Sequence, residues 1–386
     1  MEAFAERLMR STVVVERVVV SRQSRRVRAG RNGGGLVVAV TGASSGVGRL
    51  LASRLVASGD VAEVVGLDDV RGDVDGVTWR VIDLTDPAIV TRLAGVDAVV
   101  HTAVDTGITD DPAVRSHRNV RGAQAVLTAA AAAGVRHVAV VSSAMVYGAE
   151  PDNPVPLDED APLRAEPDGS VISDLLEVED LCARAPRSHP GTAVTVVRPA
   201  AVVGPGVDTV LTRHFEAPRL LVVRGSEPAW QFCHVDDLAS ALEFVVLNSV
   251  EGPVTVASDG HLDQQTVEEL SGRSRIELPA SFAFGTAQRL HRLGVTPAPA
   301  SELHFVTRPW VVTGARLREA GWKPGYDNAA ALRSLMDEVS GRHALASRRI
   351  GRRETATAAT IGAAGATVAI LGTAVVVRKA RRRKRG

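Results

Sequence analysis

Between residues 36 and 200 short, almost unbroken apolar runs alternate with stretches in which apolar residues recur every three or four positions. Unbroken runs of this length mark strands covered on both faces, and the longer period marks helices with one buried side. The pattern predicts strands over 36–41, 63–67, 77–82, 97–101, 137–142 and 193–197, with helices over 112–133 and 171–185 among those between them. Such alternation builds an α/β fold, a doubly wound parallel sheet. After Pro199 the rhythm breaks. Proline and glycine recur at Pro205, Gly206, Pro218, Pro228, Pro253 and Pro279, with short helices between, as expected of a smaller lobe closing over a ligand.

The first strand runs straight into a turn, Thr41-Gly42-Ala43-Ser44-Ser45-Gly46-Val47-Gly48, and then into an amphipathic helix from Arg49 to Ser58. Glycines at these places allow a tight turn, a close approach of backbone to a pyrophosphate, and packing of helix on strand. The phosphates would then lie on the positive end of the helix. Asp68 closes the next apolar run about twenty positions after the last glycine, where a carboxylate can bond the ribose hydroxyls. A dinucleotide cradle follows, of the Rossmann type. Asp68 favours NAD over NADP because it opposes a 2′-phosphate, while Arg71 leaves NADP open.

The remaining organisation comes from charge and composition. The net charge of +1 hides a segregation, since residues 1–35 hold eight Arg against three Glu and residues 342–386 hold twelve Lys or Arg against one Glu. Subtracting these from 45 basic and 44 acidic residues leaves 25 against 40, so the middle of the chain carries about −15. An acidic body argues against nucleic acid as a partner, because phosphate neutralisation needs basic surface on the folded domain. The expected division is a basic, disordered leader (1–35), a dinucleotide-binding domain (36–200), a substrate lobe (201–341), a basic linker (342–354), a hydrophobic C-terminal helix (355–377) and a basic tail (378–386). Residues 355–377 are 23 consecutive uncharged residues with basic flanks, long enough at 1.5 Å per residue to cross a hydrocarbon core of roughly 30 Å. This predicts a membrane anchor, with the main domain kept in the cytoplasm where its cofactor is. The cysteines Cys182 and Cys233 lack metal-like spacing and read as unpaired thiols of a reducing compartment. Association as a homodimer is left open.

Several further segments, taken in order with the turn, resemble the short-chain dehydrogenase/reductase superfamily, in particular its extended epimerase/dehydratase branch, over roughly residues 36–340. Asp83-Leu84 is similar to the pair that contacts adenine, and His101-Thr102-Ala103 to the segment lying along the cofactor. Asn119 matches a structural asparagine and is counted, with Thr41 and the rest of the turn, among the cofactor-binding residues. Ser142-Ser143-Ala144-Met145-Val146-Tyr147 is similar to the strand-five signature, in which Ser143 would polarise the substrate. Arg198-Pro199, Phe232-Cys233-His234-Val235-Asp236-Asp237, Pro309-Trp310-Val311 and Ala320-Gly321-Trp322 match later elements. The glycine spacing departs from the branch, being that of its shorter oxidoreductase cousins.

The chemistry departs further. The resemblance implies a Tyr and a Lys four residues apart on one helical face, the Lys lowering the phenol pKa from near 10 so that it can move a proton at neutral pH. Aligning Glu179 with the family's acid puts Val171 and Leu175 at those positions. No shift of alignment restores the pair, since four residues beyond Tyr147 and Tyr326, the only tyrosines, stand Pro151 and Ala330. Two functions follow: an NAD(P)-binding sensor or partner subunit tethered to a membrane, or an active oxidoreductase or epimerase in which Ser143 and Tyr147, backed by His101, Asp174 or His234, replace the lost groups. For the latter, Arg213, His214, Arg219 and Arg224 are candidates to meet the diphosphate of a nucleotide sugar, and a sterol or lipid-borne substrate is the alternative.

Overall fold

Valine-rich runs shielded on both faces suit only the middle of a sheet, and that is where they lie. The computed structural model describes residues 34–106, 111–293 and 299–340, together with a strand pair at 344–345 and 348–349. Strands β1 (Leu36–Thr41), β2 (Val61–Asp68), β3 (Val77–Val81), β4 (Ala98–His101), β5 (His137–Val141) and β6 (Ala193–Pro199) match the expected six to within a few residues at their ends. Three more strands, β7 (Ala201–Val203), β8 (Leu220–Val223) and β9 (Phe232–His234), lie outside the main sheet, which β10 (Gly252–Val256) then rejoins. The order is β10-β6-β5-β4-β1-β2-β3, with every neighbouring pair parallel. The chain reverses its direction of travel between β1 and β4, which opens a crevice at the carboxyl ends of those strands.

Helices cover both faces. Helix α1 (Gly46–Ala57) buries Leu51 and Leu55 on one side of the sheet, and a short helix α2 (Ile89–Arg92) follows on the other. The expected helix 112–133 exists as two pieces, α3 (Pro112–Ser116) and α4 (Gly122–Ala132), joined by a π-helical turn over His117–Arg121. Its start is fixed by Asp111, whose carboxylate accepts from Ala113 N at 3.0 Å and Val114 N at 3.2 Å, with Pro112 filling the first helical position. The wide turn carries Asn119, fully buried, whose Oδ1 accepts from Asp105 N at 2.7 Å and whose amide donates to Asp105 O at 3.0 Å. Helix α5 (Val171–Ser188), capped by Ser170, adds Val178, Cys182 and Ala185 to the core under α4.

Two further helices separate the lobes. Helix α6 (Val210–Glu216) belongs to the smaller lobe, with β8 pairing Arg275–Leu278 and β7 pairing β9. Its core is aromatic: the rings of Phe215, Trp230 and Phe232 stand 5.3–6.4 Å apart. Helix α7 (Val235–Asn248) instead packs under the sheet beside α1, so both it and β10 serve the main layer although they follow residue 200. The segments around Asp237 knit the late chain to this layer. Asp237 accepts from Gly325 N at 2.7 Å and Tyr326 N at 3.0 Å, and His234 stacks on the Tyr326 ring at 3.7 Å.

Cys182 and Cys233 are buried and unpaired, as their spacing implies, and burial pushes both thiols up. The proposed membrane stretch 355–377 lies outside the described residues. Among the described residues no helix is long and apolar enough to cross a membrane.

Candidate functional site

The turn after β1 is shaped by steric exclusion. A Cβ on Gly48 would stand 2.1 Å from the Gly42 carbonyl oxygen and 2.5 Å from Thr102 Oγ1, so only glycine lets α1 start this close to the strand. Gly42 (φ 70°) likewise backs onto Ala103, whose Cα a Cβ would meet at 2.9 Å. Gly46 (φ 51°) differs, because nothing lies within 4 Å of where its Cβ would project. The space it faces is the cavity, and no side chain caps the N–H groups of the α1 N-terminus there. An uncapped helix end over open space is an anion seat.

Behind this wall stands a layer of buried polar groups that hold it. Ser44 N donates to Asp68 Oδ2 at 3.0 Å, tying the turn to the end of β2. Thr102 Oγ1 donates to Thr41 O at 2.6 Å, and Thr41 Oγ1 meets His101 Nδ1 at 2.7 Å. His101 is fully buried and does not line the cavity, and desolvation lowers its pKa to about 4. Thr41, His101 and Asn119, expected to touch cofactor, therefore support the site from behind; Gly42, Ser44, Ser45, Gly46, Val47, Gly48, Asp68, Asp83, Leu84, Thr102 and Ala103 do line it.

The cavity, of about 1250 Å³, follows the carboxyl edge of the sheet from the ends of β2 and β3 across β1 and β4 to β5, β6 and the smaller lobe. At its first end Asp83 Oδ1 accepts from the backbone and hydroxyl of Thr85, both at 2.8 Å, which holds the carboxyl below its usual range. Asp68 and Asp69 stand together there, whereas Arg71 is exposed and away from the cavity, an arrangement suited to unphosphorylated ribose. Ser143 lines the middle, its Oγ capping the short turn Ala144–Tyr147 by accepting from Met145 N at 3.2 Å. Ser142 lies beside it with a buried, unpartnered Oγ.

Tyr147 is not in this wall. Its side chain is fully buried, its hydroxyl donates to Glu159 O at 3.1 Å and accepts from Arg198 Nη1 at 2.8 Å, and desolvation raises its pKa further. The expectation that Tyr147 replaces the missing acid is corrected: its ring and hydroxyl complete a core network in which Arg198 also grips Glu179 through bonds of 2.8 and 2.7 Å. His234 bonds Ser334 at 3.0 Å inside the fold, and Asp174 is spent on Arg115 (2.7 Å) and Asn119 (3.1 Å). What α5 does offer the cavity is Val171 and Leu175.

The basic residues proposed for a diphosphate do not gather there either. Arg213 forms a fork with Asp208 at 2.8 and 3.0 Å, Arg224 pairs with Glu277 on the surface, Arg219 is exposed, and His214 stacks on Trp230 with its pKa lowered to about 4 by burial. None of the four lines the cavity, which the smaller lobe faces with Val202, Val207, Val210, Leu211 and Trp310 and, beside them, with Asp208, Thr209 and His291. Asp208 is held by Arg213, and the lobe's other acidic group there was not legible in the sequence. Glu302, on the short helical turn Ala300–Val306, lines the cavity with 7% of its surface exposed and with Oε2 unpartnered.

Comparison with known proteins bears on this arrangement. The family model for the NAD dependent epimerase/dehydratase family matches residues 38–257. An uncharacterized protein of Mycobacterium tuberculosis is 28% identical over 308 residues, covering 76% of this chain and 82% of that one. A Stigmatella aurantiaca protein, 4-hydroxy-2-methyl-3-oxo-4-farnesyl-3,4-dihydroquinoline-1-oxide ketoreductase, is 28% identical over 228 residues, 57% of this chain and 67% of that one. Among solved structures, UDP-glucose 4-epimerase of Thermus thermophilus in complex with NAD superposes with a TM-score of 0.60 at 20% identity, covering 79% of this chain and 99% of that one, a likeness of fold.

Proposed function

Since the chain belongs to the NAD-dependent epimerase/dehydratase family, we propose that it holds NAD along the carboxyl edge of the sheet and receives a small, uncharged, apolar ligand at the smaller-lobe end, without the family's usual proton relay. The observation that carries this reading is the wall formed by Val171 and Leu175, where a phenol and an ammonium would otherwise face the cofactor. NAD fits the residues present: the α1 N-terminus for pyrophosphate, Asp68 for ribose, and the open side of Gly46 for close approach. Bound there, NAD would supply a hydride acceptor or donor. The protein's own share is to orient it and to keep water from the apolar end. A sensor or partner subunit is the role that suits a cradle with its relay replaced by hydrocarbon.

Arg213 and Arg224 are taken up by Asp208 and Glu277 and neither lines the cavity, which removes them as partners for the dianionic group of a nucleotide diphosphate. The Stigmatella aurantiaca relative, whose name places it on a farnesyl-bearing ketone, supports an apolar ligand. The uncharged stretch 355–377 supports attachment to a membrane, which would suit a lipid-like ligand. The acidic middle of the chain speaks against nucleic acid.

Calorimetry on the full chain tests the cofactor reading. NAD should bind, and Gly46→Trp, which fills open space, should abolish binding while the fold survives. Binding that persists unchanged in Gly46→Trp would refute the cradle. Attachment is tested by co-sedimentation with vesicles of phosphatidylglycerol and phosphatidylethanolamine, which a chain ending at residue 341 should lose.

A further inference from the structure

We propose that Glu302 is a proton-donating group of this cavity, reaching it from the smaller lobe beside the position that Val171 leaves without a phenol. The placement follows from a chain of contacts. Asp168 Oδ1 accepts from Ser170 N at 2.8 Å, and the Ser301 hydroxyl donates to Asp168 Oδ2. Residues 301 and 302 are thereby pinned to the segment that leads into α5 and directly to Val171. Arg115 closes the cluster by donating to Gly169 O at 2.8 Å and to Asp174 Oδ2 at 2.7 Å. The two lobes thus meet at the N-terminus of α5, with Glu302 in the seam.

The side chain is built to carry a proton. Oε2 is buried with no hydrogen-bond partner, and Glu302 lines the cavity. A buried carboxylate without donors is costly, so the neutral acid is favoured, and a neutral acid can donate. Two charged groups act on it. Asp168 opposes its ionisation, and Arg115, itself paired with Asp174, favours it less strongly. Burial is the largest influence, and the pKa is raised to about 8. The acid is therefore mostly protonated at neutral pH and close enough to that range to give its proton up, the condition for general acid catalysis.

The inference rests on the NAD reading above and, in place of a purely sensing role, gives the cavity a reaction. For an apolar ketone Glu302 would give its proton to the carbonyl oxygen, while reduced NAD, when bound, would supply the hydride for the carbonyl carbon and so be oxidised by two electrons. The C=O π bond would thus become a C–H and an O–H bond, and the Glu302 carboxylate would take its next proton from solvent. The reverse direction oxidises a secondary alcohol with Glu302 as base.

Infrared difference spectroscopy on the full chain reads the proton without any ligand. At pH 6 the protein should show the C=O band of a protonated, buried carboxyl that fades as pH is raised through about 8, and Glu302→Gln should lack it. A band that is absent, or unaltered in Glu302→Gln, overturns the proposal. Turnover is read with reduced NAD and trans-decalone or acetophenone. Glu302→Gln should lower the rate about 10²-fold or more, with NAD affinity on calorimetry unchanged. Equal rates in the two proteins, or no reduction of either ketone by the unaltered protein, also overturn it. If NAD fails to bind either protein the cradle reading falls instead, and the infrared band, which needs no cofactor, still decides the state of Glu302.

Discussion

The two ends of the cavity are built on opposite principles. At the cofactor end backbone does the work: glycines strip side chains away so that strand, turn and helix can crowd together and expose N–H groups. At the ligand end the wall is side chain, with hydrocarbon from α5 and α6 beside a few ionisable groups, Arg115, Asp208, His291 and Glu302 among them, while Arg198 and Glu179 pair within the core. The first arrangement can bind a charged group of fixed shape, and the second offers an apolar surface with a few ionisable side chains beside it. Between them stand Ser143 and Glu302, two of the polar side chains that line the cavity.

This contrast can be broken at either end. The largest effect is expected from Arg198→Met, which strands Glu179 in the core and removes the partner of Tyr147. Breaking a buried pair from one side costs about 3–5 kcal/mol, and chemical denaturation should show it. A cost below about 1 kcal/mol would mean that water reaches the pair. Next comes Gly48→Ala, whose Cβ has backbone atoms in its way and cannot be accommodated by a rotamer change. It should cost about 3 kcal/mol through overpacking and should abolish NAD binding. Gly46→Ala is its control: with open space around it, only the positive φ is penalised, by about 1 kcal/mol.

Tyr147→Phe sharpens the contrast from the other side. If the hydroxyl serves the core, its loss costs about 1–2 kcal/mol in stability and leaves NAD affinity untouched. A loss of NAD affinity or of ketone reduction at unchanged stability would return Tyr147 to the active-site wall. The smallest effect is a pH dependence on the acid side. His101 and His214, buried and neutral, have pKa values lowered from 6.5 to about 4. The unfolded chain therefore binds more protons than the folded one in that interval, so stability should be fully present above about pH 6.5 and be lost as pH falls toward 4. Thermal melts across that range check the sign, and His101→Gln should flatten the dependence by one proton.

Much of this was legible along the chain. The six strands at 36–41 to 193–197, the glycine turn and the carboxylate Asp68 are local patterns, set by shielding on two faces, by the exclusion of Cβ atoms and by a fixed count of residues through one strand–helix–strand unit. The absence of a phenol and an amine four residues apart is likewise a property of the sequence alone. The return of 252–256 to the main sheet was hidden, because a strand at the edge opposite β3 carries no mark of its neighbour. His101 and Asn119 read as cofactor contacts because sequence cannot say which side of a wall a residue occupies.

Tyr147 and Glu302 show where the boundary lies. Whether a hydroxyl faces a cavity or a core depends on an arginine 51 residues away, Arg198, and whether a carboxyl meets solvent or a seam depends on the pairing of Asp168 with Ser301, 133 residues apart. Local order decided which elements form and what chemistry the chain has available. Only the tertiary structure decided which ionisable groups lost their water, since desolvation is a property of everything packed around a group and not of its neighbours in sequence.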